Sequence, residues 1–507
     1  MHSRKSEYLP NGRQRSASSG RLGHIRQRHV HCPCQCNGAV RCDESLLSGE
    51  PWRLNSDWKY APMVWNYRTK QPESGNSGAK PRYFAVASFV LAGTLVLTGC
   101  GGGATAEDVD VPTPTESATI DPNAVQPSMV GMHIEGVEGG RWASAPFGAL
   151  RLWDNGTAWS QIELAKGEFN WGNLDAAIAT AKSTGMSDIL YVMGTTPGWA
   201  AQDPKNLNES DYPQPGAAEA PANMADWTDW VTTVVTRYKG VITSYQIWNE
   251  ANLNNFYNGT PEQMAELTKE AYDIIKKIDP EAQVVSASPT TRLSKSFDRF
   301  FPKYLEQLAI LNWPVDVIAL HTYPDATGDP SSRGAAVVKA QEYLTAAGAP
   351  TVPLWDTELN YGLAGPGDLP REEITGARAA GFVVRTYIDN LRLGIERSYW
   401  YIWTLETYDL LGVQVSPGSD GEQGFFAVND WVVGAVFGGC TESENTVLCD
   451  FSRNGTNWIV AWAQSGEATY TTPENSQLTC DPLANCSEAP PAAPVILTEV
   501  PVRIYLQ

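Results

Sequence analysis

From residue 128 onward, short apolar runs alternate with stretches in which apolar positions recur every three or four residues. The runs are 129–133, 149–153, 189–193, 241–248, 284–287, 315–321, 352–357 and 398–403. Such runs, bounded by turn residues, are the mark of strands buried on both faces. The stretches between them carry helix signals. The clearest is Thr260-Pro261-Glu262-Gln263, a capping box with proline at the first helical position. Met264, Leu267, Ala271, Ile274, Ile275 and Ile278 follow at helical spacing. Lys276 and Lys277 suit the negative end of the helix dipole, and Pro280 stops the helix. Eight such alternations predict an α/β fold, a (β/α)8 barrel over residues 129–437. Pro353 falls near the start of the seventh run, where a central strand tolerates proline.

Past Trp403 the pattern changes. Residues 404–423 read as an irregular loop over the barrel mouth, and 429–437 as a last helix. The runs 447–451, 458–463 and 495–505 alternate and predict a small C-terminal antiparallel β appendage over 438–507. The Pro-rich stretch 488–494 crosses between two of its strands. There is no internal repeat.

Charge divides the chain. Residues 1–99 hold 14 Lys and Arg against 6 Asp and Glu, whereas the remainder holds 23 against 51. An acidic body of this kind argues against nucleic acid or an anionic membrane surface as its main partner. The sign changes at an apolar run, 83–97, preceded by Lys80 and Arg82 and closed by Leu97-Thr98-Gly99-Cys100. The run is short for a membrane span, and has the basic flank, apolar middle and small-residue exit of a secretory signal. The Leu-x-Gly-Cys ending resembles the bacterial lipoprotein signal. That resemblance implies that Cys100 is lipidated and becomes the mature N-terminus, with 80–99 removed and the protein held at the outer face of the cell membrane by lipid alone. A plain secretory signal or a tail-less anchor helix is the alternative. The acidic, Pro/Thr-rich segment 100–128 reads as a flexible tether.

Residues 1–79 are basic and Ser/Arg-rich, and read as disordered or as an over-long gene model whose true start is Met63. They contain Cys32, Cys34, Cys36 and Cys42 beside His29 and His31, a spacing tight for a zinc module. Elsewhere no metal-ligand spacing and no phosphate-binding glycine loop is visible, and no cofactor is expected. Export permits disulfides. Cys440, Cys449, Cys480 and Cys486 allow three pairings; the sequence-local pairs Cys440–Cys449 and Cys480–Cys486 are the expectation, which sequence alone does not select.

Two carboxylate motifs carry the chemistry. Trp248-Asn249-Glu250 ends the fourth run, and Trp355-Asp356-Thr357-Glu358 ends the seventh. The C-terminal ends of barrel strands are where catalytic groups collect. Two carboxyls placed there can flank one glycosidic bond, one as acid/base and one as nucleophile. Aromatic burial raises the pKa of an acid/base glutamate, and Asn249 can bond a sugar 2-hydroxyl. A capping or salt-bridged glutamate is the plain alternative for either residue alone.

A family resemblance follows from these motifs. Tyr245-Gln246-Ile247-Trp248-Asn249-Glu250-Ala251-Asn252 resembles the strand-four motif of clan A glycoside hydrolases, and is most similar to family 39, which includes β-xylosidases and exopolysaccharide glycosidases. Ala251 stands where that motif usually has proline. The resemblance implies that Glu250 is the acid/base and Glu358 the nucleophile of a retaining mechanism. It also implies that Arg151 lies near the nucleophile, that Thr196-Pro197-Gly198-Trp199-Ala200 is the loop after strand three, that Tyr323 in His321-Thr322-Tyr323 bonds the nucleophile, and that Trp403 lies under the sugar. His133 and Asp154, at the ends of the first two strands, are further candidate subsite residues. Each has a structural alternative: an ion pair for Arg151, a core histidine for His321, core aromatics for Trp199 and Trp403. The expectation is an exported retaining glycoside hydrolase acting on a carbohydrate. A non-catalytic carbohydrate-binding lipoprotein and a transglycosylase remodelling envelope polysaccharide are the rivals.

Overall fold

The computed structural model describes residues 121–205 and 213–507, which fall in one compact unit. The expected N-terminal extension 1–79, the expected signal segment 80–99, Cys100 and the expected tether up to residue 120 lie outside the described residues.

Eight parallel strands form the barrel: β1 (Val130–Ile134), β2 (Ala149–Leu152), β3 (Ile189–Val192), β4 (Ser244–Gln246), β5 (Gln283–Val285), β6 (Ile318–His321), β7 (Leu354–Leu359) and β8 (Ile395–Trp403). They pair in the order β5-β4-β3-β2-β1-β8-β7-β6. Parallel bridges Val285↔Val317 and Thr290↔His321 close β5 onto β6. Helices follow every strand but the first: α1 (Gly172–Ser183), α2 (Met224–Tyr238), α3 (Pro261–Ile278), α4 (Ser294–Ile310), α5 (Pro330–Ala346), α6 (Gly376–Leu393) and α7 (Asp420–Trp431). The link after β1 holds only a 3-10 turn, Val137–Gly139. The expected capping box forms at α3. The Thr260 hydroxyl accepts from the Gln263 N–H at 3.2 Å, and the Gln263 side chain accepts from the Thr260 N–H at 3.0 Å.

Strand alternation sorts the side chains into two layers. Ala149, Leu190, Ala319, Trp355 and Tyr399 point inward and fill the barrel centre. Leu150, Tyr191, Tyr245, Leu320 and Trp400 point outward against the helices. Two strands break this alternation just before the mouth. On β7, Asp356 and Leu359 lie opposite Ser398 and Trp400, so three steps on β7 match two on β8. On β8, Trp400 and Trp403 lie opposite Met132 and Ile134. Each mismatch is a one-residue β-bulge, which reverses the facing of every residue beyond it.

Within the same unit, antiparallel strands flank the barrel. A six-stranded sheet comprises β9 (Val436–Ser443), β10 (Thr446–Arg453), β11 (Thr456–Ala463), β13 (Ser476–Cys480), β14 (Cys486–Glu488) and β16 (Val502–Leu506), in the order β9-β10-β11-β16-β13-β14. A two-stranded sheet pairs β12 (Ala468–Thr471) with β15 (Pro494–Leu497). Both sequence-local disulfides are formed, and each joins residues directly opposite on adjacent strands.

Three readings are corrected. The last helix is α7, Asp420–Trp431, instead of 429–437; Ser419 caps it by accepting from the Glu422 N–H at 3.2 Å. Gly434, at φ 75°, turns the chain, and Val436 already begins a strand. The run 495–505 is two strands in different sheets, broken before Pro501, which has no N–H to give a ladder. The tether's expected end, 121–128, is packed from Ala124: Val125 donates to the Ala435 carbonyl at 2.8 Å, and Ala124 and Val125 are buried.

Candidate active site

The bulges decide what enters the mouth. Glu358 lies one residue past the bulge on β7, so it faces inward although Asp356, two residues before it, faces outward to Arg333 of α5. Glu250 follows β4 in the left-handed backbone region, at φ 42°. Few residues other than glycine adopt it, and such strain collects at functional sites.

The two carboxyls converge with His321. Oxygens of Glu250 and Glu358 and a ring nitrogen of His321 all lie within 4.8 Å of one another. Arg151 donates through Nη1 to Glu358 Oε2 at 2.6 Å and through Nη2 to Asn249 Oδ1 at 2.7 Å. Tyr323 Oη donates to Glu358 Oε1 at 2.9 Å. His321 Nδ1 is 3.2 Å from Glu250 Oε1, and its Nε2 is 3.5 Å from Arg151 Nη2. A guanidinium only donates, so Nε2 accepts and Nδ1 carries the proton given to Glu250. All of these side chains are buried.

Burial sets the protonation states. It pushes Glu250 up to about 7, against a pull downward from a Thr290 hydrogen bond and from Arg151 and Arg292. It also raises Glu358; Arg151 and His321 oppose this, while Glu250 and Asp154 add to it. It lowers His321 to about 4, which keeps the imidazole neutral near pH 7. The two carboxyls thus have different partners: one is held by a guanidinium and a phenol, the other by a neutral imidazole. Unequal environments of this kind suit two carboxyls to different tasks.

The trio Glu250, His321 and Glu358 also has the donor types of a metal site. However, the Arg151 guanidinium already occupies a position at 2.6 Å from Glu358 and brings a positive charge where a cation would sit. The set fits proton transfer better than metal binding.

The remaining expected residues divide. Asp154, at the end of β2 and exposed, accepts from Tyr401 Oη at 2.9 Å. His133 is buried edge-on to the Tyr401 ring at 4.9 Å, and burial holds it well below the usual histidine range. Trp403 is corrected. The β8 bulge turns it outward into the layer between strands and helices, where it is 2 % exposed. Tyr401 is the β8 aromatic at the mouth, beside Tyr323. Trp199 is not brought to the carboxyls either. Its indole N–H donates to the Glu163 carbonyl at 2.8 Å and its ring stands edge-on to Trp159, beside the stack Trp159–Trp230–Trp171. Sequence reasoning missed Tyr401, Thr290 and Arg292. The last two lie in the loop after β5, and the rule that strand ends and their loops carry the site was signal enough to find them.

Residues 142–293 match the sequence profile of Glycosyl hydrolase family 10, a stretch holding Arg151, Asn249 and Glu250. No curated protein matches the chain. Among solved structures, a family 39 glycoside hydrolase from the gut symbiont Bacteroides cellulosilyticus WH2 superposes with a TM-score of 0.56 at 14 % identity, covering 76 % of this chain and 82 % of that one. A family 39 β-xylosidase from Caulobacter crescentus gives 0.53 at 16 %, covering 76 % and 97 %. CelM2, a bifunctional glucanase-xylanase from a metagenome library, gives 0.50 at 12 %, also covering 76 % and 97 %. At these identities the structures establish a shared (β/α)8 barrel. Fold, site and profile match together define a class: a glycoside hydrolase.

Proposed function

We propose that this chain is a retaining glycoside hydrolase that works by double displacement on an oligosaccharide or polysaccharide. Glu358 attacks the anomeric carbon while Glu250 protonates the leaving oxygen. Glu250 then deprotonates the water that releases the glycosyl-enzyme. Asn249, its oxygen occupied by Arg151, donates to the sugar 2-hydroxyl. Asp154 and Tyr401 bind hydroxyls on the same ring.

The observation that carries this reading is the 4.8 Å limit on the approach of the Glu250 and Glu358 oxygens. Retaining enzymes hold their carboxyls about 5–5.5 Å apart; inverting enzymes need about 6.5–9.5 Å to fit a water. Proton NMR of the first product, taken before mutarotation, tests it. The anomeric configuration of the substrate should persist; inversion would refute the assignment.

The same proposal extends to location: an exported protein held at the outer face of the cell membrane by lipid on Cys100. The Leu97-Thr98-Gly99-Cys100 ending supports it. Two or more acyl chains hold a protein stably at about 0.8 kcal/mol per buried methylene. Cys100→Ala should therefore leave the membrane fraction or stay unprocessed. Processing and partition like the wild type would remove the anchor from the proposal.

A further inference from the structure

Behind the mouth, on the outer face of the barrel wall, one buried guanidinium ties together three of the strands that end in the site. Arg333 of α5 is fully buried. It donates through Nη2 to Asp356 Oδ2 of β7 at 2.8 Å and through Nε to the Thr322 hydroxyl, just past β6, at 2.7 Å. Nη2 also donates to Asn390 Oδ1 at 2.7 Å, and Asn390 Nδ2 donates to the Ser398 hydroxyl of β8 at 2.7 Å. Asp356 in turn accepts from the Thr322 backbone N–H at 3.0 Å and from the Thr322 hydroxyl.

The placement matters more than the bonds. Thr322 sits between His321 and Tyr323. Asp356 is two residues before Glu358. Asp356 and Leu359 both face outward, an odd number of steps apart, so the extra residue of β7 must be absorbed between them. The ion pair fixes the first of these outward points. It thereby fixes where the bulge lies and how Glu358 is aimed. A buried ion pair is a weak source of net stability, because desolvating two charges offsets their attraction. Its attested use is to select one register over another.

We infer that Thr322, Asp356 and Arg333 form a positioning latch for the nucleophile: they hold the Tyr323 hydroxyl on Glu358 and the β7 bulge in place without touching substrate. This rests on the reading of Glu358 as nucleophile. The groups facing Glu358 are Arg151 and Asp154 from β2 and its end, Glu250 after β4, His321 and Tyr323 at the end of β6, Tyr401 of β8, and Tyr408 in the following loop. Of these, His321 and Tyr323 flank Thr322, whose backbone N–H and hydroxyl the latch grips, and Tyr323 is the one of the two that donates to Glu358. Its hydrogen bond favours the ionised carboxylate, so loosening it lets Glu358 hold a proton to higher pH.

The test is Thr322→Val in the full chain, with Thr322→Ser as the conservative rescue and Thr322→Ala as a second variant lacking the hydroxyl. The first readout needs no substrate. Labelling by a water-soluble carbodiimide and glycine ethyl ester, followed on the Glu358 peptide by mass spectrometry across pH, reports where that carboxyl ionises. The Val and Ala variants should move the midpoint up by about half a pH unit or more, and Ser should restore it. The second readout is steady-state hydrolysis of an aryl glycoside. The kcat should fall about tenfold with KM within twofold, because an aiming defect is felt in the transition state. Folded variants with the wild-type midpoint overturn the latch, whatever their activity. A raised midpoint in a protein whose wild type cleaves no glycoside supports the latch and removes the glycosidase reading.

Discussion

Glu250 is held in a conformation and a protonation state that glutamates seldom combine. Its backbone is left-handed, its carboxyl is buried, and it is pushed up to about 7. A carboxyl that keeps its proton near neutrality can donate it to a leaving group, and one that titrates there can take it back from water. The rate should therefore fall as pH rises through about 7, where Glu250 loses its proton. Glu250→Gln should remove that basic limb, leaving residual activity on activated aryl glycosides that need no acid; a limb that stays would take the acid role from Glu250. Glu250→Ala should harm poor leaving groups far more than good ones. Glu358→Ala should abolish turnover, and azide should restore part of it as a glycosyl azide by filling the vacated space. Tyr401→Phe removes the donor to Asp154 at 2.9 Å. A hydrogen bond to a charged group contributes about 1.5–3 kcal/mol, so kcat/KM should drop at least about tenfold if Asp154 binds a sugar hydroxyl. An unchanged kcat/KM would remove Asp154 from the subsite.

The strands were legible because burial on both faces leaves apolar runs, and α3 was legible because its cap is written in four consecutive residues. What was illegible is one residue long. The bulges on β7 and β8 arise from partners far apart in sequence, and nothing local to Trp403 says that it faces the helices instead of the mouth. Glu358 faced the mouth as expected, but by way of a bulge that the sequence does not announce. The two glycines of α7, Gly421 and Gly424, hid its first turn, since glycine is a poor helix former. Gly424 packs where an added Cβ would lie 2.7 Å from the Val383 side chain and 2.8 Å from the Ala380 carbonyl, so close contact with α6 explains it. The disulfides make a prediction at this scale. Cys440 and Cys449 are 9 residues apart and close a hairpin of adjacent strands. The loop-entropy argument assigns such a crosslink about 2–3 kcal/mol. The double change to serine should lower the urea midpoint accordingly, and an unchanged midpoint would show that the hairpin is ordered without it.

For the whole molecule, the acid proposed for catalysis works against stability. The folded-state value of Glu250, about 7, lies above its ordinary 4.5. Below about 4.5 both folded and unfolded chains hold the proton, and the group is neutral in the balance. As pH rises toward 7 the unfolded chain ionises first, so stability falls, and above 7 the full penalty of a buried carboxylate is present. Glu250→Gln should therefore melt higher than the wild type at pH 8, with the difference closing below pH 4.5. A difference that stays constant across that window would mean that burial is not what raises Glu250.

The packing of Ala124 and Val125 has a geometric consequence. Val125 bonds to Ala435 and Ala124 pairs with Val436 just before β1 begins, at the end of the barrel where the strands start. The carboxyls sit at the opposite end, where the strands finish. The polypeptide is thus handed to the barrel at its floor. The mouth with its carboxyls then opens away from residue 121, like a cup standing on its base. A bulky folded partner fused ahead of Asp121 should leave kcat/KM on a polymeric substrate unaltered, whereas the same partner inserted in the loop after β8 should block it.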